Sequence, residues 1–151
     1  METIGSLRQR IRQYDRKLET ICQEHYPETE LLRQVEGGVG ALTALTFVLT
    51  LEDPSRFAKS RSVGTYLGLV PARDQSGDRD PQKRISKEGD EMLRKLLVGS
   101  AHYILGPFGS DSDLRGHGEK IASRAGGKNA KKRAVVAVAR KLSLYSCTIC
   151  G

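Results

Sequence analysis

The sequence predicts an all-α protein: an N-terminal coiled-coil helix, then a compact helical domain containing a helix-hairpin-helix-like element. Three observations carry that prediction. Apolar residues recur at helical spacing over the first 25 positions and again around 92–104 and 134–142. No set of alternating apolar and polar runs suggests strands. Glycine and proline punctuate the chain between the periodic stretches.

The first element is read from Ile4, Leu7, Ile11, Tyr14, Leu18, Ile21 and His25, whose gaps alternate between three and four along a coiled-coil seam. Arg8, Arg10, Arg12, Arg16 and Lys17 lie off that seam, with Asp15 and Glu19 among them. Either of two arrangements covers such a stripe: packing back onto its own domain, or pairing with a second copy. Pro27 ends the helix, and Glu28 to Gln34 forms a short second one.

Gly38, Val39 and Gly40 then precede an apolar helix from Ala41 to Leu51, stopped by Asp53-Pro54. This order resembles a helix-hairpin-helix, in which missing side chains let amides at the second helix's N-terminus approach a phosphate. Such a contact reads backbone rather than sequence. A tight packing turn is the other reading, and the extra Gly37 departs from the usual single-glycine spacing.

Ser62 to Leu69 reads as a short apolar helix ending at Gly68, and Ala72 to Lys83 as a polar loop. Ser86 or Asp90 is suited to cap the next helix, whose stripe is Met92, Leu93, Leu96, Leu97, Ala101 and Ile104. Gly106-Pro107 ends it. The glycine-rich stretch 109–118 reads as a connection. Asn129 to about Tyr145 forms the last helix, with Ala134, Val135, Val138, Ala139 and Leu142 facing inward. The expected division is a coiled-coil dimerisation helix over 1–26, a helical domain over 27–146 and a tail over 147–151.

Composition narrows the function. A chain of 151 residues suits one domain with one core. Its 25 Lys and Arg against 18 Asp and Glu give a net charge of +7, which favours an anionic partner such as DNA. Between Lys120 and Lys141 there are eight Lys or Arg and no acid, so this stretch alone supplies +8. It is either a solvated face or a folded basic helix that grips phosphates through Lys128, Lys131, Lys132 and Arg133. Three Phe, five Tyr and no Trp argue against base stacking as the main binding mode. No apolar run approaches the roughly 20 residues of a membrane span. With no signal layout and three cysteines, the chain reads as cytoplasmic, with no membrane partner.

The acidic side chains Asp74, Asp78, Asp80, Glu88, Asp90, Glu91, Asp111 and Asp113 are scattered, whereas two-metal phosphoryl transfer needs carboxylates converging on ions about 4 Å apart. No metal site is read from them. Cys147 and Cys150 make half of a zinc motif without its remaining ligands. A serine nucleophile is the other option, and a hydroxyl needs a base or electropositive surroundings to attack. Ser76 precedes Gly77 in the polar loop, with Arg73, Arg79, Lys83, Arg84 and Lys87 nearby to hold a phosphate and stabilise its transition-state charge. No local histidine offers itself as base. Judged by its residues alone, such a loop serine is more often ordinary surface.

Residues Leu32 to about Tyr145 resemble the C-terminal domain of the IS-one-ten family of bacterial insertion-sequence transposases, the bridge-RNA-guided recombinases. The resemblance rests on an ordered series of short pieces. These are Gly38-Val39-Gly40 with Leu42-Thr43-Ala44, Asp53-Pro54 with Arg56-Phe57, Tyr66-Leu67-Gly68-Leu69-Val70-Pro71, and Ser76-Gly77. Then follow Ile85-Ser86-Lys87-Glu88-Gly89-Asp90, Leu93-Arg94, Leu96-Leu97 and Ala137-Val138-Ala139-Arg140-Lys141-Leu142.

The family's pattern implies a RuvC-like domain with acidic Mg2+ ligands, joined by a coiled coil to a helical domain that supplies a serine nucleophile. Position 76 matches that serine, and of the cations near it Arg73, Arg84 and Lys87 are the expected phosphate holders. Also implied are DNA as substrate and guide RNA as a further candidate partner, while the heptad spacing suggests a homodimer or higher oligomer through residues 4–25. No cofactor is implied for this chain itself. Asp78-Arg79-Asp80-Pro81 replaces a more glycine- and lysine-rich run, and the RuvC-like part is not in the sequence. The expectation is a truncated, split or excised C-terminal part that binds DNA without completing recombination alone. The rival expectation is a non-catalytic nucleic-acid-binding and dimerisation module.

Overall fold

The computed structural model describes residues 3–35, 37–72 and 83–151. Among them the regular structure is helical throughout: α1 (Ile4–His25), α2 (Glu28–Arg33), α3 (Ala41–Leu51), a 3-10 turn at Pro54–Arg56, α4 (Arg61–Tyr66), α5 (Glu91–Leu105), α6 (Asp113–Ala125) and α7 (Ala130–Cys150). The all-α expectation is met. None of these helices is long and apolar enough to cross a membrane.

α7 is the axis of the domain, packing against α2, α4, α5, α6 and the 3-10 turn. Its inward residues Ala134, Val135, Val138, Ala139, Leu142 and Cys147 are small or branched and three to four apart, so several helices can approach one stripe. They meet Leu93, Leu97, Ala101 and Ile104 of α5, Leu114 of α6, Phe47 and Leu51 of α3, and Leu32 of α2 in a single core. Ser143 is fully buried there, and its hydroxyl donates to the Arg140 carbonyl at 2.7 Å. α7 runs five residues past Tyr145, so residues 147–150, expected as a tail, continue the helix. Cys147 is buried against the core and Cys150 is half-buried beside it.

α1 starts at Thr3, whose side chain accepts from the Ser6 amide, and its seam residues stay outside the domain. Ile4, Leu7, Ile11, Tyr14 and Ile21 are all exposed, Ile4 to 71%. Contact with the body is confined to the far end. There Cys22 is buried near the Ala41 carbonyl, and Arg33 of α2 holds Glu19 through two hydrogen bonds of 2.7 and 2.9 Å. The domain therefore does not cover its own heptad stripe.

Two readings from the sequence need correction. Asp90, one of the two caps that the sequence offered, caps α5 by accepting from the Leu93 amide at 2.6 Å, but the buried side of that helix is rotated. Leu93, Arg94, Leu97, Ser100, Ala101 and Ile104 point inward, while Met92 is 53% exposed and Leu96 half-buried. The stretch 109–118 is not simply a connection, because α6 begins at Asp113 with Ser112 as its cap. Glycine lowers helix propensity by up to about 1 kcal/mol per residue, which hides such a helix from the sequence. Packing reverses the balance: a Cβ on Gly118 would lie 2.6 Å from Leu105 Cδ2 and 2.7 Å from Val138 Cγ2, so α6 can cross there only without a side chain. We expect Gly118→Val to destabilise the domain by about 1–3 kcal/mol, read as a lower urea midpoint at unchanged slope.

Candidate nucleic-acid interface

The residues on either side of the polar loop expected over 72–83 are hydrogen-bonded to each other as a pinned base. The Gly68 carbonyl accepts from the Lys87 amide at 3.1 Å, the Val70 carbonyl from Ser86 at 2.8 Å and the Arg84 carbonyl from Ala72 at 2.9 Å. Pro71 and Ile85 face each other as an isolated antiparallel bridge. The two shoulders touch closely enough to need glycine on both sides. Gly68 (φ +68°) and Gly89 (φ +79°) are left-handed, and a Cβ on either would strike the backbone of the opposite shoulder.

Beneath them lies Arg94, 9% exposed, whose Nη1 donates to the carbonyls of Leu67 at 3.2 Å and Glu88 at 2.9 Å. One guanidinium thus ties the segment before the loop to the segment after it. Ser76 and Arg73 lie outside the described residues. Arg84 and Lys87 stand exposed at the base. Lys87 has φ +58°, a conformation that costs a side-chain-bearing residue about 1–2 kcal/mol relative to right-handed backbone. That keeps a cation where glycine or asparagine would fit with less strain.

A second site is the turn from α6 to α7. Gly126 and Gly127 are left-handed at φ +56° and +76°, and Lys128, Lys131, Lys132 and Arg133 are all exposed after them. No side chain caps α7, and no acid lies in its first turn. Helix N-termini carry partial positive charge, so cations there are unfavourable within the chain itself and an anion relieves them.

A third candidate is the glycine turn before α3, whose three residues are placed differently. Val39 is buried, and a Cβ on Gly38 would sit 3.0 Å from Ile104 Cγ1, so these two residues serve packing against α5. Gly40 is different. It is exposed with open space around it, and it begins α3 without a capping side chain.

An open groove of about 580 Å3 lies along α6 and α7, lined by Asp111, Ser112, Asp113, Gly116, His117, Lys120 and Lys141. Burial, then the neighbouring Lys141 and Lys120, hold the His117 imidazolium acid below its usual range. No three His, Cys, Asp or Glu side chains among the described residues converge on a point where a metal could sit.

Sequence reasoning picked out Arg84, Lys87 and the α7 cations from charge alone. It did not pick out Arg94, quoted only as part of a motif, or His117. The available signal for Arg94 was an arginine next to Leu93 on the apolar side of an amphipathic helix.

The family model described as Transposase IS116/IS110/IS902 family matches residues 29–108, from α2 through the loop base to the end of α5, and the chain belongs to that family. It is similar to the transposase for insertion sequence element IS1111A of Coxiella burnetii, 36% identical over 104 residues that cover 69% of this chain and 28% of the relative. It is also similar to the transposase for insertion sequence element IS1328 of Yersinia enterocolitica, 33% identical over 101 residues covering 67% and 30%. A probable family 20 transposase of Pseudomonas aeruginosa is 31% identical over 78 residues, 52% of this chain and 23% of the relative. The chain spans less than a third of the length of these relatives.

Two outcomes are expected from this geometry. Arg94→Met leaves two carbonyls without their donor and lowers stability by about 1.5–3 kcal/mol in denaturant titration, with faster amide exchange at Ser86 and Lys87. His117 resists protonation in the folded state, so the unfolded chain binds the extra proton. Stability then falls as pH drops below the free imidazole's value of about 6.5 and on through the lower folded value. Melting temperatures between pH 7 and 5 should show that slope, and it should flatten in His117→Gln.

Proposed function

We propose that this chain is the DNA-binding, serine-bearing part of an insertion-sequence transposase, with Ser76 as the nucleophile. In that reading Ser76 Oγ bonds to a backbone phosphorus, the bond from phosphorus to the 3′ oxygen breaks, and the hydroxyl proton ends on that departing oxygen. Arg73, Arg84 and Lys87 hold the phosphate, and Mg2+ acts from a RuvC-like domain elsewhere in the assembly. Family membership and the pinned loop base with its two exposed cations support the reading.

The observation that carries the binding part is Lys131, Lys132 and Arg133 crowding the uncapped start of α7. Cations placed there weaken the helix, and a nucleic-acid phosphate turns the same arrangement into affinity. Gly40 offers the amides of α3 to a second phosphate. A guide RNA presents the same phosphates, so DNA and RNA are compared directly in the test. The bare apolar seam of α1 favours a homodimer or higher oligomer through residues 4–25. It is also what a non-catalytic binding and dimerisation module would show.

Fluorescence anisotropy with labelled DNA and RNA across a salt series tests the binding part. Affinity should fall linearly on logarithmic axes, and Lys131→Glu with Lys132→Glu should reduce that slope by about two without lowering the melting temperature. Lys87→Gly should raise the melting temperature while weakening binding. A chain that binds neither polymer at low salt ends the reading. For the chemistry, a full-length relative carrying Ser76→Ala at the equivalent place should form no covalent protein–DNA adduct on a donor–target substrate. Persistent adduct would remove Ser76 from the mechanism.

A further inference from the structure

Gly64 sits buried inside α4, a position where a helix gains nothing from glycine. Its neighbour explains it. A Cβ at Gly64 would lie 3.0 Å from Arg140 Cγ, 3.4 Å from Nε and 3.6 Å from Cδ. The Arg140 stem therefore reaches from α7 across α4 through the space that the missing side chain leaves. The Gly64 carbonyl accepts from the Leu69 amide at 2.9 Å, so this crossing lies directly behind the shoulder that runs into Val70 and the loop base.

Arg140 is exposed, and no carboxylate among the described residues is within ion-pair distance of it. Its stem as far as Nε lies against Gly64 while the residue as a whole stays exposed, as expected of a long amphipathic side chain. A guanidinium held by its stem loses less freedom when it forms paired hydrogen bonds to phosphate oxygens.

We propose that Arg140 is a nucleic-acid phosphate contact, laid across Gly64 so that the basic side of α7 extends to the base of the serine loop. The assignment rests on the nucleic-acid-binding reading above. It adds a residue that the charge run alone did not single out, together with the glycine that positions it.

The test uses the whole chain with a labelled DNA duplex and an RNA of equal length, titrated by anisotropy at several salt concentrations. Arg140→Gln should weaken binding and reduce the salt slope by about one. Arg140→Lys should restore the slope but recover only part of the affinity, because a point charge replaces the fork. Gly64→Ala changes no charge, yet should weaken binding in the wild type and cause no further loss in the Arg140→Gln background. Melting temperatures show that each variant folds, and Arg140→Gln, which keeps the stem up to Cγ over Gly64, decides the matter if Gly64→Ala does not fold. Unchanged affinity and slope in Arg140→Gln, on a wild type that binds, overturn the role of Arg140 alone. A wild type that binds neither polymer overturns the binding reading as well.

Discussion

The hold of one buried guanidinium on two backbone carbonyls is the constraint on which the rest of this domain depends. Arg94 sits on α5, but it acts between Leu67 and Glu88, which belong to the two shoulders of the polar loop. A positive charge so deep in a helical core is costly unless its donors are satisfied. Here the carbonyls that satisfy them would otherwise lack partners near the ends of short elements. The exchange benefits both parties, and it fixes the two shoulders relative to each other. The glycines at 68 and 89 follow from it, since the shoulders can close on Arg94 only if neither carries a side chain.

Around this fixed point the chain repeatedly gives up local stability. Lys87 adopts a backbone conformation better suited to glycine. Lys131, Lys132 and Arg133 stand at the wrong pole of α7. Gly64 weakens α4 to let a cation pass. Each departure lies on the surface or just behind it and involves positive charge. In the core, α7 and α5 pack through small and branched residues in ordinary helical register, and the glycine at 118 serves close packing rather than charge. Conflicts between local preference and structure are what a surface selected for something other than folding would show, and these lie on the proposed binding surface.

What was legible in the sequence follows from the range of the interactions responsible. α3 was bounded correctly because its signals are local, Gly40 before it and Asp53-Pro54 after it. α6 was missed because Gly116 and Gly118 read locally as breakers, while the reason for Gly118 lies in Leu105 and Val138 on two other helices. The end of α7 was placed too early because the burial of Cys147 depends on the whole core. The candidate site divides in the same way. Exposed cations such as Lys128 and Arg84 announce themselves by charge, and Ser76 entered through a family resemblance rather than through its own chemistry. Arg94 and Arg140 did not announce themselves, since the first is defined by distant carbonyls and the second by a distant glycine.

The three cysteines give the domain built-in reporters. Cys22 is covered where α1 meets α3, and Cys147 where the end of α7 meets the core. Cys150 is half-buried, and burial beside Glu28 and Cys147 pushes its thiol up to about 11. Alkylating reagents attack thiolates that they can reach. Maleimide uptake at Cys22 would therefore time the detachment of the N-terminal arm, uptake at Cys147 would time the fraying of the opposite end, and the ratio of the two rates would show which end of the molecule opens first.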